Sequence, residues 1–172
     1  MGLDMFLVRR KKGTQEIREE FTDLVDKLET KYQGDDNKLE LIGKFTKAII
    51  DVVDCGSEEL AYWRKANHIH AWFNQRLANG NIEDCTHVPV TKEDVMDLVS
   101  DCQSVIDLHK KGGNKWKEFA EATLHCESGF FFGSTEYDEY YLDQTKETIS
   151  MLNQALRNWD NYTYEYFYYA WW

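Results

Sequence analysis

Residues 58–73 bring aromatic, cationic, amide and imidazole side chains together in one short stretch of the chain. An indole ring stacks on a planar ligand, an amide donates and accepts hydrogen bonds, and an imidazole binds an anion or carries a proton. A neighbouring arginine or lysine neutralises a phosphate or a carboxylate. Together these groups predict a pocket for a nucleotide or another anionic aromatic molecule. The residues expected to bind this ligand are Trp63, Arg64, Lys65, Asn67 and His70.

A second cluster, at residues 128–138, contains glycines, hydroxyls and three consecutive phenylalanines. Gly129 and Gly133 allow a ligand to approach the backbone closely, because they carry no Cβ. The free amides after Ser134 or Thr135 would form an anion-binding site at the start of a helix. We therefore expect Ser134 and Thr135 to complete the ligand site, in a cavity shared with the first cluster.

Carboxylates occupy the same turn as this expected anion-binding site, at Glu136, Asp138 and Glu139. Either they satisfy the free amides of the helix themselves, and then repel a phosphate, or one of them pairs with Arg64 or Lys65. Each candidate ligand-binding residue also has an ordinary structural interpretation, as a core tryptophan, a hydrogen-bonded histidine or a cation on a helix surface. A structure distinguishes these alternatives by showing whether the two clusters border one cavity.

Catalytic and metal-binding chemistry has less support. The sequence contains no Gly-x-Ser-x-Gly motif, no phosphate-binding loop and no His-Glu-x-x-His pair. His68 and His70 are two positions apart, which on a helix points them in different directions and disfavours a shared metal. Glu136 or Glu139 with His70 would be the acid and base of an enzyme, but spacing alone does not indicate this. We predict no catalytic residue, no metal site and no cofactor.

The hydrophobic pattern predicts the elements that position these clusters. Alternation predicts strands at residues 1–8, 130–132 and 162–171, with a solvated basic turn at residues 9–12. Strands separated by helices predict an α+β fold, in which a small, mostly antiparallel sheet packs against several amphipathic helices. The length fits a single globular domain over residues 1–172. Helices are predicted to begin at Thr14, near Leu39, at Ser57, after Thr91, near Trp116 and after Ser134 or Thr135, and the first three to end at Gly34, Cys55 and Ala78.

Composition limits the partners of the chain. A net charge of -11 disfavours direct binding of a nucleic-acid backbone and suits a basic groove on a protein partner. No apolar run is long enough to span a bilayer, and the N-terminus lacks a signal-sequence pattern, so we expect no membrane association. Four cysteines without a Cys-x-x-Cys pair predict reduced thiols and a cytoplasmic protein. They are Cys55, Cys85, Cys102 and Cys126.

Three segments of the chain carry a resemblance to known sequences. They are MGLDMFL at the N-terminus, YWRKAN with the following IH and WF at residues 62–73, and SGFFFGSTEYDEYY at residues 128–141. In this combination the chain resembles a family of small bacteriophage proteins whose activities are mostly uncharacterised. Residues 14–50 and 103–125 carry no mark of that family, and the resemblance implies no activity.

A phage setting implies an accessory role in the host cytoplasm, directed at the host or its defences. Our leading hypothesis is a non-catalytic protein that binds a small nucleotide-like ligand and sequesters a host immune signal. The first alternative is an acidic inhibitor of a host defence protein or nucleic-acid-binding protein. The second alternative is a small nucleotide-processing enzyme. A homo-oligomer is compatible with each hypothesis.

Overall fold

A computed structural model of the chain describes residues 2–54 and 56–172, and the side chains of all of these except residues 15, 18 and 50–54. This part of the chain forms six helices and four strands. In chain order they are β1 (Asp4–Lys11), α1 (Thr14–Lys31), α2 (Asp36–Asp54), β2 (Glu58–Arg64), α3 (Asn67–Ala78), β3 (Val88–Pro89), α4 (Lys92–Lys110), α5 (Lys115–Thr123), α6 (Glu139–Arg157) and β4 (Tyr164–Trp171).

The four strands form one antiparallel sheet in the order β2-β1-β4-β3. Val88 of β3 lies opposite Tyr168 of β4, and Pro89 lies opposite Phe167. A proline is tolerated here because β3 is an edge strand, whose outer side needs no ladder hydrogen bond. The predicted α+β class is confirmed. Across the described residues, no helix combines the length and the apolar composition that crossing a bilayer requires.

Packing groups the chain into two compact units. The first unit comprises the chain up to Val8, Glu59–Asn161 and Tyr166–Trp172. The second comprises Arg9–Glu58 and Tyr162–Glu165. Strands β1, β2 and β4 therefore contribute residues to both units, and the expectation of a single domain remains a prediction.

Large aromatic side chains form the core of the first unit. Trp63 on β2, Phe73 on α3 and Tyr168 on β4 are almost completely buried. Phe73 stacks on Tyr168 with ring centroids 4.2 Å apart, and Trp63 meets Phe73 edge to face at 6.1 Å. Burial of one such side chain contributes roughly 1.5–3 kcal/mol to folding. Aromatic residues make up 15% of the chain, and packing in this core explains part of that content.

Helix boundaries follow the sequence closely where a capping residue is present. The Thr91 hydroxyl accepts a hydrogen bond from the Asp94 amide at 3.1 Å, and the Asp94 carboxylate accepts one from the Thr91 amide at 3.0 Å. This capping box starts α4 at the predicted position. Asn79, with a left-handed φ of 51°, ends α3 as predicted. Met1 and Cys55, at two predicted boundaries, lie outside the described residues.

The predicted helix from Ser57 to Ala78 is wrong in its first half, because residues 58–64 form β2. Ala61 and Trp63 are buried while Tyr62 and Arg64 are exposed, which is the two-residue period of a strand. The Ser57 hydroxyl does not cap a helix and instead accepts a hydrogen bond from Arg10 Nε at 2.8 Å.

The basic turn predicted at residues 9–12 is also wrong in part, since β1 continues to Lys11. The Arg9 guanidinium lies 2.7 Å from the Glu58 carboxylate and 4.3 Å from the centre of the Tyr164 ring. These partners belong to distant parts of the chain. Because of these partners, Arg9 continues a strand that the local sequence predicts to end at Val8.

The strand predicted at residues 130–132 is replaced by a turn. The Phe132 amide donates to the Gly129 carbonyl oxygen at 3.1 Å, and Gly133 has a left-handed φ of 93°. This conformation favours glycine and cannot extend a strand. Phe132 is buried, whereas Phe130 is 96% exposed, so the three phenylalanines do not act as one apolar strand.

Candidate functional site

The two clusters identified from the sequence meet at Asn67, the first residue of α3. Its side-chain nitrogen donates to the carbonyl oxygens of Ser134 at 2.7 Å and of Phe132 at 3.2 Å. Asn67 is 2% exposed, and its Oδ1 has no hydrogen-bond partner in the described part of the chain. The two segments therefore lie together at a buried, hydrogen-bonded junction.

Backbone hydrogen bonds fix the same junction from the side of the sheet. The Leu3 amide donates to the Phe131 carbonyl oxygen at 3.1 Å, and the Lys65 amide donates to the Leu3 carbonyl oxygen at 2.8 Å. Lys65 has a left-handed φ of 58° and turns the chain from β2 into α3. A Cβ added at Gly133 would lie 3.2 Å from Lys65 Cβ, so only glycine fits the turn comfortably here.

Trp63 and His70 lie in the core beneath this junction. Trp63 Nε1 donates to Thr148 Oγ1 at 2.9 Å, and His70 Nδ1 lies 2.7 Å from the Tyr168 hydroxyl. Burial lowers the pKa of His70 to about 4, because the charged ring is disfavoured away from water. Their hydrogen bonds are internal, and Trp63, His70 and Asn67 are each at most 2% exposed, so a ligand at the surface does not reach them.

Arg64 and Lys65 are the predicted cations that the structure places at the surface. Both side chains extend past Gly2: a Cβ added there would lie 3.2 Å from Lys65 Cε and 3.7 Å from Arg64 Nη2. Among residues 2–54 and 56–172, no carboxylate with a described side chain forms an ion pair with either cation. Of the two alternatives for the carboxylates of the second cluster, pairing with Arg64 or Lys65 is therefore not the one observed among the described residues.

The carboxylates of the second cluster have other partners. Asp138 caps α6, because its Oδ1 accepts a hydrogen bond from the Tyr141 amide at 3.0 Å. Glu139 lies 3.5 Å from Lys146. The anion-binding site predicted at the start of this helix is thus occupied by the protein's own carboxylate, and the prediction that Ser134 or Thr135 caps the helix is wrong.

Ser134 and Thr135 are exposed, and they follow Gly133, which lies against Lys65. The Ser134 hydroxyl accepts a hydrogen bond from the Glu136 amide at 3.1 Å. Two aromatic residues lie close to this region in the fold: Tyr140 donates to the Arg64 carbonyl oxygen at 3.0 Å, and the almost fully exposed Phe130 precedes Phe131, whose carbonyl oxygen accepts from the Leu3 amide. We call this region the cation surface, and it consists of Arg64, Lys65, Phe130, Ser134, Thr135 and Tyr140.

A cleft of about 430 Å³ between α3, α4 and the end of α5 was not singled out from the sequence. Arg76 reaches Asp94 at 2.9 Å and Asp97 at 2.7 Å, and Trp72 Nε1 donates to Asp101 at 2.9 Å. The sequence contains a pattern from which this cleft could have been predicted, because Trp72 and Arg76 are four residues apart and therefore lie on one side of α3. These charged groups are paired with one another, so they clamp α3 to α4.

Burial shifts the pKa values of one more histidine and two of the cysteines away from their usual range. His68 lies 3.3 Å from the Thr145 hydroxyl, and burial lowers its pKa to about 3. Burial also raises the pKa of the Cys102 thiol and raises that of Cys126 to about 11, which keeps both protonated. Within the part of the chain that the structure describes, no three His, Cys, Asp or Glu side chains are grouped to hold a metal ion.

Comparisons with known protein families, with curated proteins and with solved structures find no match to this chain. The α+β class therefore rests on the helices and strands themselves, and the resemblance to phage proteins stays a prediction.

Proposed function

We propose that this protein is a non-catalytic binding protein whose cation surface takes a small anionic ligand with an aromatic group. The observation that carries the proposal is the placement of Arg64 and Lys65. In a chain with a net charge of -11, these two exposed cations extend side by side past Gly2, with no carboxylate ion pair among the described residues. Two neighbouring cations that are not neutralised by a described carboxylate attract an anion to that point of an acidic protein.

The neighbouring side chains suit the rest of such a ligand. Arg64 can donate two parallel hydrogen bonds to a phosphate or carboxylate, and Lys65 supplies a point charge. The exposed rings of Phe130 and Tyr140 offer faces on which a planar group stacks. The ligand class supported by this chemistry is a nucleotide-like molecule. Because the surface is exposed, binding would weaken as ionic strength rises.

Two observations support binding without catalysis. His68 and His70 are buried and neutral near pH 7, and the thiols of Cys102 and Cys126 are protonated. In the phage setting that the resemblance implies, such a protein would act in the host cytoplasm and sequester a nucleotide signal of host defence.

A thermal-shift experiment with mononucleotides, dinucleotides and cyclic nucleotides tests the proposal. The unaltered chain should be stabilised by at least one of these compounds, with a shift that grows with ligand concentration. Arg64→Ala and Lys65→Ala should each abolish the shift. Lys111→Ala, which removes an exposed cation from the end of α4, should retain it. A chain that responds to none of the compounds, or variants that respond like the unaltered chain, would overturn the proposal.

Recovery of the bound compound distinguishes a binder from an enzyme. Chromatography after incubation should return the stabilising nucleotide unchanged. Conversion to a product would instead favour the nucleotide-processing alternative.

The acidic side of α1 favours a second candidate function, inhibition of a basic host protein. Six exposed carboxylates project from this helix and would complement a basic groove. Reversal of three of them to lysine should abolish a host partner's co-purification, while Arg64→Ala should leave it unchanged. The six are Glu16, Glu19, Glu20, Asp23, Asp26 and Glu29.

A further inference from the structure

The α1–α2 hairpin exposes large apolar side chains that its own fold leaves uncovered. A four-residue connection joins the two helices, so they run antiparallel. Ile17 and Leu24 on α1 are 59% and 51% exposed, and Leu41 and Phe45 on α2 are 55% and 61% exposed. Four such residues on two adjacent helices exceed the scattered apolar exposure that is normal on a protein surface.

Helix geometry places these four side chains on one face. Successive residues of a helix are rotated by about 100° around its axis. Viewed along the axis of α1, Ile17 and Leu24 both lie about 80–100° from the buried Val25, on the same side of it. Leu41 and Phe45 lie about 60–100° from the half-buried Ile42 in the same sense. Because the helices are antiparallel, the same sense of rotation turns both pairs toward the same side of the hairpin. We call this side the hairpin face.

We propose that the hairpin face binds a second copy of this chain, so that two hairpins form an antiparallel four-helix bundle. In this arrangement the two-fold axis runs along the helices, and α1 of each copy packs on α2 of the other. Leu24 of one copy then lies between the levels of Leu41 and Phe45 of the other. The proposal is independent of the cation surface, whose residues belong to the other compact unit.

The charges beside the apolar stripe identify the occupant as a second copy. A residue of α1 lies at the same level along the two-fold axis as the α2 residue that is equally far from the connection between the helices. Three charged residues of α1 have a charged residue of the other copy's α2 at their level. In each pair the two charges are opposite, and both lie on the outer edges of the hairpin face, where α1 of one copy meets α2 of the other. If α1 of one copy packed on α1 of the other, two helices with six carboxylates each would face one another and repel. The complementary pairs are Glu20 with Lys47, Asp23 with Lys44, and Lys27 with Glu40.

The size of the hairpin face is sufficient for a weak dimer. A helix of 18 residues is about 27 Å long, and two adjacent helices are about 20 Å wide. The face therefore measures on the order of 500 Å² per copy, or about 1,000 Å² in total, which is the lower limit for a specific interface. Association in the micromolar range is expected.

Sedimentation equilibrium over a wide concentration range tests the apolar contact. The mass of the unaltered chain should rise from 20.4 kDa toward twice that value. Leu24→Glu and Phe45→Glu should each weaken association at least about tenfold, because a carboxylate would be buried in the interface. Met96→Glu is the matched control, since Met96 on α4 is equally exposed and should leave association unchanged. The proposal is overturned if the unaltered chain keeps a mass of 20.4 kDa at every concentration. It is also overturned if the Leu24→Glu variant associates as strongly as the unaltered chain.

A charge exchange tests the register of the two copies. Lys27→Glu and Glu40→Lys should each weaken self-association, because each variant brings like charges together twice in its own dimer. Lys27 and Glu40 lie at the exposed surface, in intrahelical pairs of 4.0 Å with Asp23 and 2.6 Å with Lys44, so neither change disturbs a core. An equimolar mixture of the two variants should restore association, since both interface pairs then become opposite. Failure of the mixture to associate more strongly than either variant alone overturns this packing of the hairpins.

Discussion

The side-chain nitrogen of Asn67 lies 2.7 Å from the carbonyl oxygen of Ser134, a residue 67 positions further along the chain. This hydrogen bond, with the weaker one to Phe132, holds the loop that carries the exposed Phe130 against the turn that carries Lys65. A buried amide thus determines where an exposed surface forms. The shape of the cation surface depends on a residue that a ligand would not contact.

Replacement of Asn67 should therefore destabilise the fold and loosen the loop. Asn67→Ala leaves two carbonyl oxygens without their donor, at an expected cost of about 1–3 kcal/mol in the free energy of unfolding. Asn67→Asp should cost more, because a carboxylate would face the same carbonyl oxygens. Urea unfolding measures the loss, and hydrogen exchange should report faster exchange at residues 129–135. Asn153→Ala, at an exposed position on α6, is the control, and equal losses in both variants would contradict this role.

The buried histidines predict a loss of stability in mild acid. Burial holds the pKa of His70 at about 4 and that of His68 at about 3, below the usual 6.5. As the pH falls below about 6.5, the unfolded chain binds protons that the folded chain does not, so the free energy of unfolding decreases. Each histidine should contribute a slope of about 1.4 kcal/mol per pH unit once its unfolded form is protonated.

Unfolding by urea between pH 5 and 7 measures this slope. His70→Gln removes one titrating group and should flatten the slope, even though the variant is less stable at pH 7. Asn153→Ala, which removes an exposed side chain that does not titrate, should leave the slope unchanged. A His70→Gln variant with the full slope of the unaltered chain would show that His70 is not responsible.

A third prediction concerns the hydrogen bond of the most deeply buried tryptophan. Thr148→Val preserves the shape of the side chain but leaves Trp63 Nε1 without its acceptor, at an expected cost of about 1–3 kcal/mol. Thr148→Ser keeps the hydroxyl and should recover most of that stability. Thermal unfolding of both variants and of the unaltered chain measures these differences in stability. If the valine and serine variants are equally stable, the hydrogen bond is unimportant.

Long periodic segments and caps were predictable because they depend on neighbours in sequence. The spacing of apolar residues gave α1 and α2, and Thr91 with Asp94 gave the start of α4. The residues around Trp63 were predicted as helix because, over so short a segment, the pattern of apolar residues fits both the period of a helix and the period of a strand. Their strand conformation is fixed by pairing with β1, which the local pattern does not contain.

The candidate site was predictable to a similar extent. The exposure of Arg64 and the closeness of the two clusters were expected from the sequence. The burial of Trp63 and His70 was weighed as an alternative, and contacts between distant parts of the chain decide it: Trp63 meets Phe73 and Thr148, and His70 meets Tyr168. The cap of α6 was misplaced by a few residues, because Asp138 competes with Ser134 for the same role.

Lys65 combines a strained backbone with an exposed cation, and one substitution separates the two. Its φ of 58° is unfavourable for a side chain with a Cβ, so Lys65→Gly should raise the free energy of unfolding by up to about 1 kcal/mol. The same change removes a cation and should weaken binding of a nucleotide-like anion. Lys111→Gly is the matched control: Lys111 has a right-handed φ of -72°, so glycine there should lower stability and leave anion binding unchanged. Urea unfolding and ligand titration measure the two effects separately. A Lys65→Gly variant that binds the ligand as tightly as the unaltered chain would exclude Lys65 from the ligand site, whatever its stability.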